Sequence, residues 1–360
     1  MSFIDKLQEN FEDNTSVFVG GKPLNRPCYE KGPIFPDGEV GIELEIEGQR
    51  LPSGATIADL MSKETQKYWA AVNDGSLRGG LEYVLTGPIK TSEVRQMVDG
   101  LFNKFKENGS KIKNSNRCST HVHVNVSDLK VNELTSVISL WCTFQTPFIK
   151  WWGEERVSNH FCLSSRDEES MVSSWIAYLK CGQLNMYRTR DGLKYTALNI
   201  LPIFSQGSIE FRAGGPPNDP DKVVYWAKIC NAIVRYAVEH FKNPLALGYA
   251  LSEQGPEELL MSILVKANLG PITCQNIYQE LTEDGQLTAD AFNDFRDVQA
   301  LLYSFPWDNY MGEFYKEIIP DPFETKTVKY NNLLFDVFEP ANPAIIRQQP
   351  EERDDFDDDE

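Results

Sequence analysis

From residue 40 the chain alternates. Val40-Gly-Ile-Glu-Leu-Glu-Ile-Glu47 places apolar residues at every second position with acids between them, the period of a strand buried on one side only. Tyr68 to Asn73 and Leu81 to Thr86, joined through Asp74-Gly75, predict a hairpin. The spacing then changes to that of a helix. Ser92 stands where a cap belongs, and Val94, Met97, Val98, Leu101, Phe102 and Phe105 recur at helical intervals until Asn108-Gly109. Cys118 to Val126 predicts a further strand, followed by helices over about 132–152 and 167–180. Tyr195 to Pro202 and Ser208 to Ala213 read as strands linked by a turn at Ser205-Gln206-Gly207. A helix opens at Asp219 or Asp221 and runs to about Phe241, where Asn243-Pro244 ends it.

These elements imply an α+β protein with a mainly antiparallel sheet. Residues 1–39, rich in Gly, Pro and Asn, predict a short helix and an irregular leader. Residues 40–244 form the patterned region, 245–339 a helical C-terminal region, and 340–360 an acidic tail expected to be disordered.

Residues two apart on a strand share a face, so each strand can be sorted by counting. Ile42, Leu44 and Ile46 oppose Glu43, Glu45 and Glu47, and Val122, Val124 and Val126 oppose His121, His123 and Asn125. Ile209 and Phe211 oppose Ser208, Glu210 and Arg212, while Leu81, Tyr83 and Leu85 oppose Glu82, Val84 and Thr86. For any single strand, water is a sufficient partner for the polar face. Three glutamates in a row with no cation on the strand need something positive nearby. The E-x-E, Glu82, the H-x-H and the E-x-R together describe a divalent-metal site.

Composition narrows the chemistry. The 360 residues carry 35 Lys+Arg against 53 Asp+Glu, a net charge of −18, which disfavours direct contact with nucleic acid or anionic membranes. Seven cysteines are widely spaced without a C-x-x-C pair and read as reduced core thiols. With acids in the opening MSFIDKLQEN and no long apolar run, a cytoplasmic protein is expected. Carboxylates dominate the proposed ligands and cysteine is absent from them, which favours Mg²⁺ or Mn²⁺. Such ions keep positions open for phosphates, so Glu and His beside Arg212 suggest a nucleotide held through metals. No Walker-type loop is present: Gly20-Gly21-Lys22 lacks the spacing and Gly214-Gly215 runs into Pro-Pro.

The series G-I-E-L-E-I-E, D-G-S-L with G-L-E-Y-V, C-S-T-H-V-H-V, Y-T-A-L-N-I and S-I-E-F-R, spread over residues 38–240, resembles the amidoligase family. That family resembles a branch of the carboxylate-amine ligases, which include glutamine synthetase and glutamate-cysteine ligase. The resemblance implies a glutamine synthetase-like fold, a curved antiparallel sheet with helices on one face. It also implies ATP with Mg²⁺ or Mn²⁺, and joining of a carboxylate to an amine through an acyl phosphate. By the same resemblance Glu43, Glu45, Glu82, His121 and Glu210 are metal ligands, and His123 and Arg212 touch phosphate. Asp74, eight residues before Glu82, stands nearest to a second metal-binding glutamate of glutamine synthetase, and is shorter. Asn199 would orient substrate or phosphate. Arg188, Arg190 and Lys194 are candidate phosphate contacts, or equally a solvated basic loop. Asp74 or Glu47 could take the proton from the amine.

Two other readings compete. The H-x-H with carboxylates could activate water in a metal-dependent amide hydrolase, although zinc hydrolases usually use three or more histidines, and His160 and His240 are far from the pair in sequence. Alternatively, the acidic face and tail could serve a non-enzymatic protein that contacts a basic partner. The tail itself reads first as a solvated repulsive segment and second as a protein contact. Trp141, Trp151, Trp152, Trp175 and Trp226 are expected in the core.

Overall fold

In the computed structural model, the described residues are 18–19, 22–23, 29, 37–57, 59–157, 159–165, 167, 170–181, 193–241, 244–302, 326–330 and 333–338. Two short strands, β1 (Phe18–Val19) and β2 (Lys22–Pro23), pair antiparallel before the main sheet. That sheet contains β3 (Val40–Gln49), β4 (Trp69–Val72), β5 (Gly80–Leu85), β6 (Lys111–Ile112), β7 (Ser119–Asn125), β8 (Leu198–Asn199) and β9 (Ser208–Gly214). Its order is β4-β5-β3-β7-β9-β8, open at both edges, with β6 pairing the far end of β3. All of these pairings are antiparallel. The architecture is α+β with an open antiparallel sheet.

One sheet face is sealed. Val40, Ile42, Leu44 and Ile46 are 0–1% exposed, as are Val122, Val124, Ile209 and Phe211. Burying such side chains contributes roughly 1.5–3 kcal/mol each. Helices α1 (Val94–Glu107), α2 (Val131–Trp151) and, after the short α3 (Glu154–Val157), α4 (Ser170–Cys181) follow the early strands. The six apolar positions counted on α1 are all buried. Its start differs from the expectation: Ser92 makes no side-chain cap, and a 3₁₀ turn over Thr91–Glu93 leads into Val94. Helix α6 (Pro220–His240) lies against β3, β7, β9 and α2, and its opening is capped by Asp219, which accepts from the Asp221 N–H.

The predicted strand from 195 to 202 is shorter, because Thr196 spends its hydroxyl on the Leu193 and Leu198 carbonyls and Pro202 opens a helix, α5 (Pro202–Gln206). The expected turn at Ser205-Gln206-Gly207 is the end of α5, where Gly207 takes the left-handed conformation with φ 71°. Helices α7 (Pro244–Glu253), α8 (Pro256–Lys266), α9 (Pro271–Thr282) and α10 (Leu287–Leu302) follow. The C-terminal region is not wholly helical: β10 (Lys326–Tyr330) and β11 (Leu333–Phe338) pair as a hairpin, their β-branched and aromatic residues favouring strands. The five tryptophans expected in the core are buried there. Cys118, Cys142, Cys162, Cys230 and Cys274 are free and buried. Among the described residues no helix is long and apolar enough to cross a membrane. The acidic tail lies outside the described residues.

Candidate metal centre on the polar sheet face

Register turns the counted faces into one site. Glu45 stands opposite Glu82 on β5, and Glu43 opposite His121 on β7. His123 stands opposite Glu210 on β9, which stands opposite Asn199 on β8. Directly opposed residues have Cβ atoms about 4.5–5.5 Å apart, so the side chains of five adjacent strands meet.

His121 Nδ1 lies 3.3 Å from Glu210 Oε1 and 3.7 Å from Glu43 Oε2, with Nε2 4.0 Å from Glu45 Oε2. His123 Nε2 lies 3.3 Å from Glu43 Oε1, and its Nδ1 is 3.2 Å from the Ser208 hydroxyl. Arg212 Nη1 donates to Glu210 Oε1 at 2.5 Å, and Asn199 Nδ2 to Glu210 Oε2 at 2.7 Å. The Ser119 hydroxyl donates to Glu45 and lies 2.8 Å from His121 Nε2. Glu43, His123 and Glu210 each offer a ligand atom within 4.8 Å of the others.

The electrostatics show excess negative charge. Burial, then the charges of Glu43, Glu45, Asp74 and Glu210, push the Glu82 carboxyl up to about 7. Burial also opposes the charge of Glu43, but His123 and the hydrogen bonds from both histidines hold its pKa well below the usual range. Glu210 is likewise lowered: burial works against it and Arg212, His123 and His121 outweigh that. Burial lowers His123, whereas Glu43 and Glu210 more than compensate and leave it raised.

The donor set fits a hard divalent cation. Carboxylates and imidazole converge, buried His123 Nε2 lies 3.3 Å from Glu43 Oε1, and Glu82 is left facing four other acids. Asp74 joins this cluster: despite burial, hydrogen bonds from Ser76 and the influence of Glu45 and His121 lower its pKa. Glu47 stands at the end of β3, 5% exposed, and accepts from the Arg78 backbone N–H at 2.7 Å. Lys194 is exposed, with Nζ 4.9 Å from the Tyr195 ring centroid. Arg188 and Arg190 lie outside the described residues.

Residues 58–234 match the family model described as "Putative amidoligase enzyme". The match supports the amidoligase family and a ligase role. It spans Asp74, Glu82, both central histidines, Asn199, Glu210 and Arg212, a narrower stretch than the motifs counted over 38–240. Glu43 and Glu45 precede the amidoligase match and reach the cluster through the pairing of β3 with β5 and β7. No curated protein matches the chain.

A cavity of about 280 Å³ opens beside this cluster, lined in part by Gly41, Glu43, Val84, Thr86, His123 and Ser208. Gly41 faces it from β3, where a Cβ would meet only His123 Cβ, at 3.4 Å. One site residue escaped the sequence reading. Ser119 shares a face with His121 and two-residue counting could have found it.

Proposed function

We propose that the chain is an ATP-dependent carboxylate-amine ligase of the glutamine synthetase-like superfamily, acting through an acyl phosphate with two divalent metals, Mg²⁺ or Mn²⁺. The observation that carries this reading is the convergence of Glu43, His123 and Glu210 within 4.8 Å beside Arg212. The family match supports the ligase part of this reading.

Glu43, His123 and Glu210 would hold one ion, and Glu45, Glu82, Asp74 and His121 are the donors available to a second. Bound there, such ions would neutralise phosphate charge and polarise the transferring group. The chain's own residues supply the remaining stabilisation. Arg212 offers positive charge where negative charge grows on the phosphoryl oxygens. Asn199 and Arg212 fix both oxygens of Glu210, so that carboxylate presents one orientation. The substrate carboxylate attacks the terminal phosphorus of ATP, and ADP leaves with the bridging electron pair. A neutral amine then attacks the acyl carbon, phosphate departs, and the amine proton passes to a carboxylate at the rim. Asp74, beside Glu45 and His121, would take that proton, and Glu47, which accepts the Arg78 N–H on Oε1, is the alternative acceptor.

Thermal shift with Mg²⁺ and ATP, separately and together, tests the nucleotide; the largest rise is expected with the pair. Stabilisation by zinc alone, with no response to ATP, would favour the hydrolase. ADP release across a panel of carboxylates and amines identifies substrates. Glu45→Gln should abolish that release, and turnover equal to the parent protein would refute the assignment.

A further inference from the structure

Strand β9 does not pair evenly with β7. Val122 stands opposite Phe211, but Thr120 stands opposite Gly214, so Arg212 and Ala213 together face His121. This is a β-bulge, which takes a residue out of the ladder and changes where side chains point. It lies between Glu210 and Gly214, in the stretch that delivers Arg212 to the site.

The surroundings of the bulge are built to one shape. Arg156, 2% exposed, donates through Nη2 to the Arg212 carbonyl at 2.8 Å and through Nε to the Ala213 carbonyl at 3.2 Å. Burying a guanidinium costs several kcal/mol when no charge compensates it, and among the described residues no carboxylate forms an ion pair with Arg156. Its donors go instead to consecutive carbonyls of the bulge. The backbone of Arg156 is anchored in turn: the Cys162 thiol donates to its carbonyl at 3.3 Å, and the Asn159 N–H does so at 3.1 Å. Asn159 also donates through its side chain to the Asn116 carbonyl just before β7, at 2.9 Å. On the other side of the bulge Trp152 packs over Gly215, whose carbonyl accepts from the Thr120 hydroxyl at 2.9 Å.

We propose that Arg156 is a positioning residue for the metal centre: its guanidinium fork fixes the bulge of β9 and thereby sets Arg212 and Glu210 against His121 and His123. It touches none of the candidate ligands and acts through the Arg212 and Ala213 carbonyls. Its consequence for cation binding rests on the reading of the cluster given above, whereas its hold on the bulge does not. A lysine keeps the charge and loses the fork, and a methionine keeps most of the volume and loses both.

The test uses the full chain with Arg156→Met and Arg156→Lys. Mn²⁺ affinity is measured by electron paramagnetic resonance, and hydrogen exchange is compared for peptides covering 208–214 and 40–49. Arg156→Met should weaken Mn²⁺ about 10- to 100-fold, the range for residues that orient ligands, and raise exchange at 208–214 ahead of 40–49. Arg156→Lys should fall between it and the parent. Unchanged Mn²⁺ affinity in either folded variant, or exchange rising evenly over both peptides, overturns the proposal. If Arg156→Met does not fold, Arg156→Lys decides by the same criteria. A parent protein that binds no Mn²⁺ would sink the metal reading, and exchange at 208–214 would still decide the role of Arg156.

Discussion

Glu82 shows how one residue reports on a whole face. Its carboxyl is raised to about 7 by burial and by Glu43, Glu45, Asp74 and Glu210. The folded protein therefore holds a proton between the ordinary carboxylate pKa and about 7 that the unfolded chain has released. Without metal, stability should fall as pH rises through that window and level off above it. Saturating Mn²⁺ should remove this decline, because a bound cation favours the ionised form. Melting temperatures from pH 4.5 to 8, with and without Mn²⁺, check both; a metal-independent profile would contradict the site. Which residues share the polar face was legible by counting along each strand. Which of them meet was not, because register depends on partners far away in sequence. The resemblance implies His121 for metal and His123 for phosphate; both imidazoles lie among the candidate ligands, His123 in the group with Glu43 and Glu210 and His121 with Nδ1 3.3 Å from Glu210.

At the level of elements, long periodic segments were legible and short ones were not. β3, α1, α2 and α6 follow their apolar spacing closely, because each buries a whole face. β8 keeps two residues of a predicted eight, since local bonds of Thr196 and the helix begun by Pro202 outweigh its apolar composition. The β9 bulge has no sequence signature, yet Gly214 marks its cost: a Cβ there would lie 2.2 Å from the Thr120 carbonyl oxygen. Gly214→Ala should destabilise by about 1–3 kcal/mol and weaken Mn²⁺ binding together with it, read by denaturant unfolding and metal titration. A similar constraint holds the entry to α1. Glu93 accepts from the Ser62 hydroxyl at 2.5 Å and from the Lys63 and Glu64 N–H groups at 2.7 and 3.1 Å. Burial opposes its charge, but these bonds leave its pKa lowered. The stabilisation is thus present above the ordinary carboxylate pKa and is lost as pH falls through the lowered one. Glu93→Gln should cost about 1–3 kcal/mol at neutral pH, with the gap to the parent closing in acid.

Across the whole molecule, α2 joins the sheet to the C-terminal helices. It contacts β9 and α6 on one side and α7, α9 and α10 on the other. Asp294 on α10 is fully buried and accepts from the Thr146 N–H and hydroxyl, both at 3.0 Å, one residue before Pro147 inside α2. Asp294→Ala would remove the partner of two partly buried donors and should destabilise by about 1–3 kcal/mol in all. Because α2 packs on both sides, calorimetry should show the whole transition moving down without splitting. None of this was legible beforehand: 245–302 read as helical, but nothing in its polar positions pointed to Thr146.

The bare backbone at Gly41 has a consequence for selectivity. Since a methyl group there would lie against the stem of the neighbouring imidazole at 3.4 Å, successively bulkier residues at this position should narrow the chamber and press on His123. The dimensions of whatever enters that chamber and the seating of one candidate ligand are thus joined at a single backbone position.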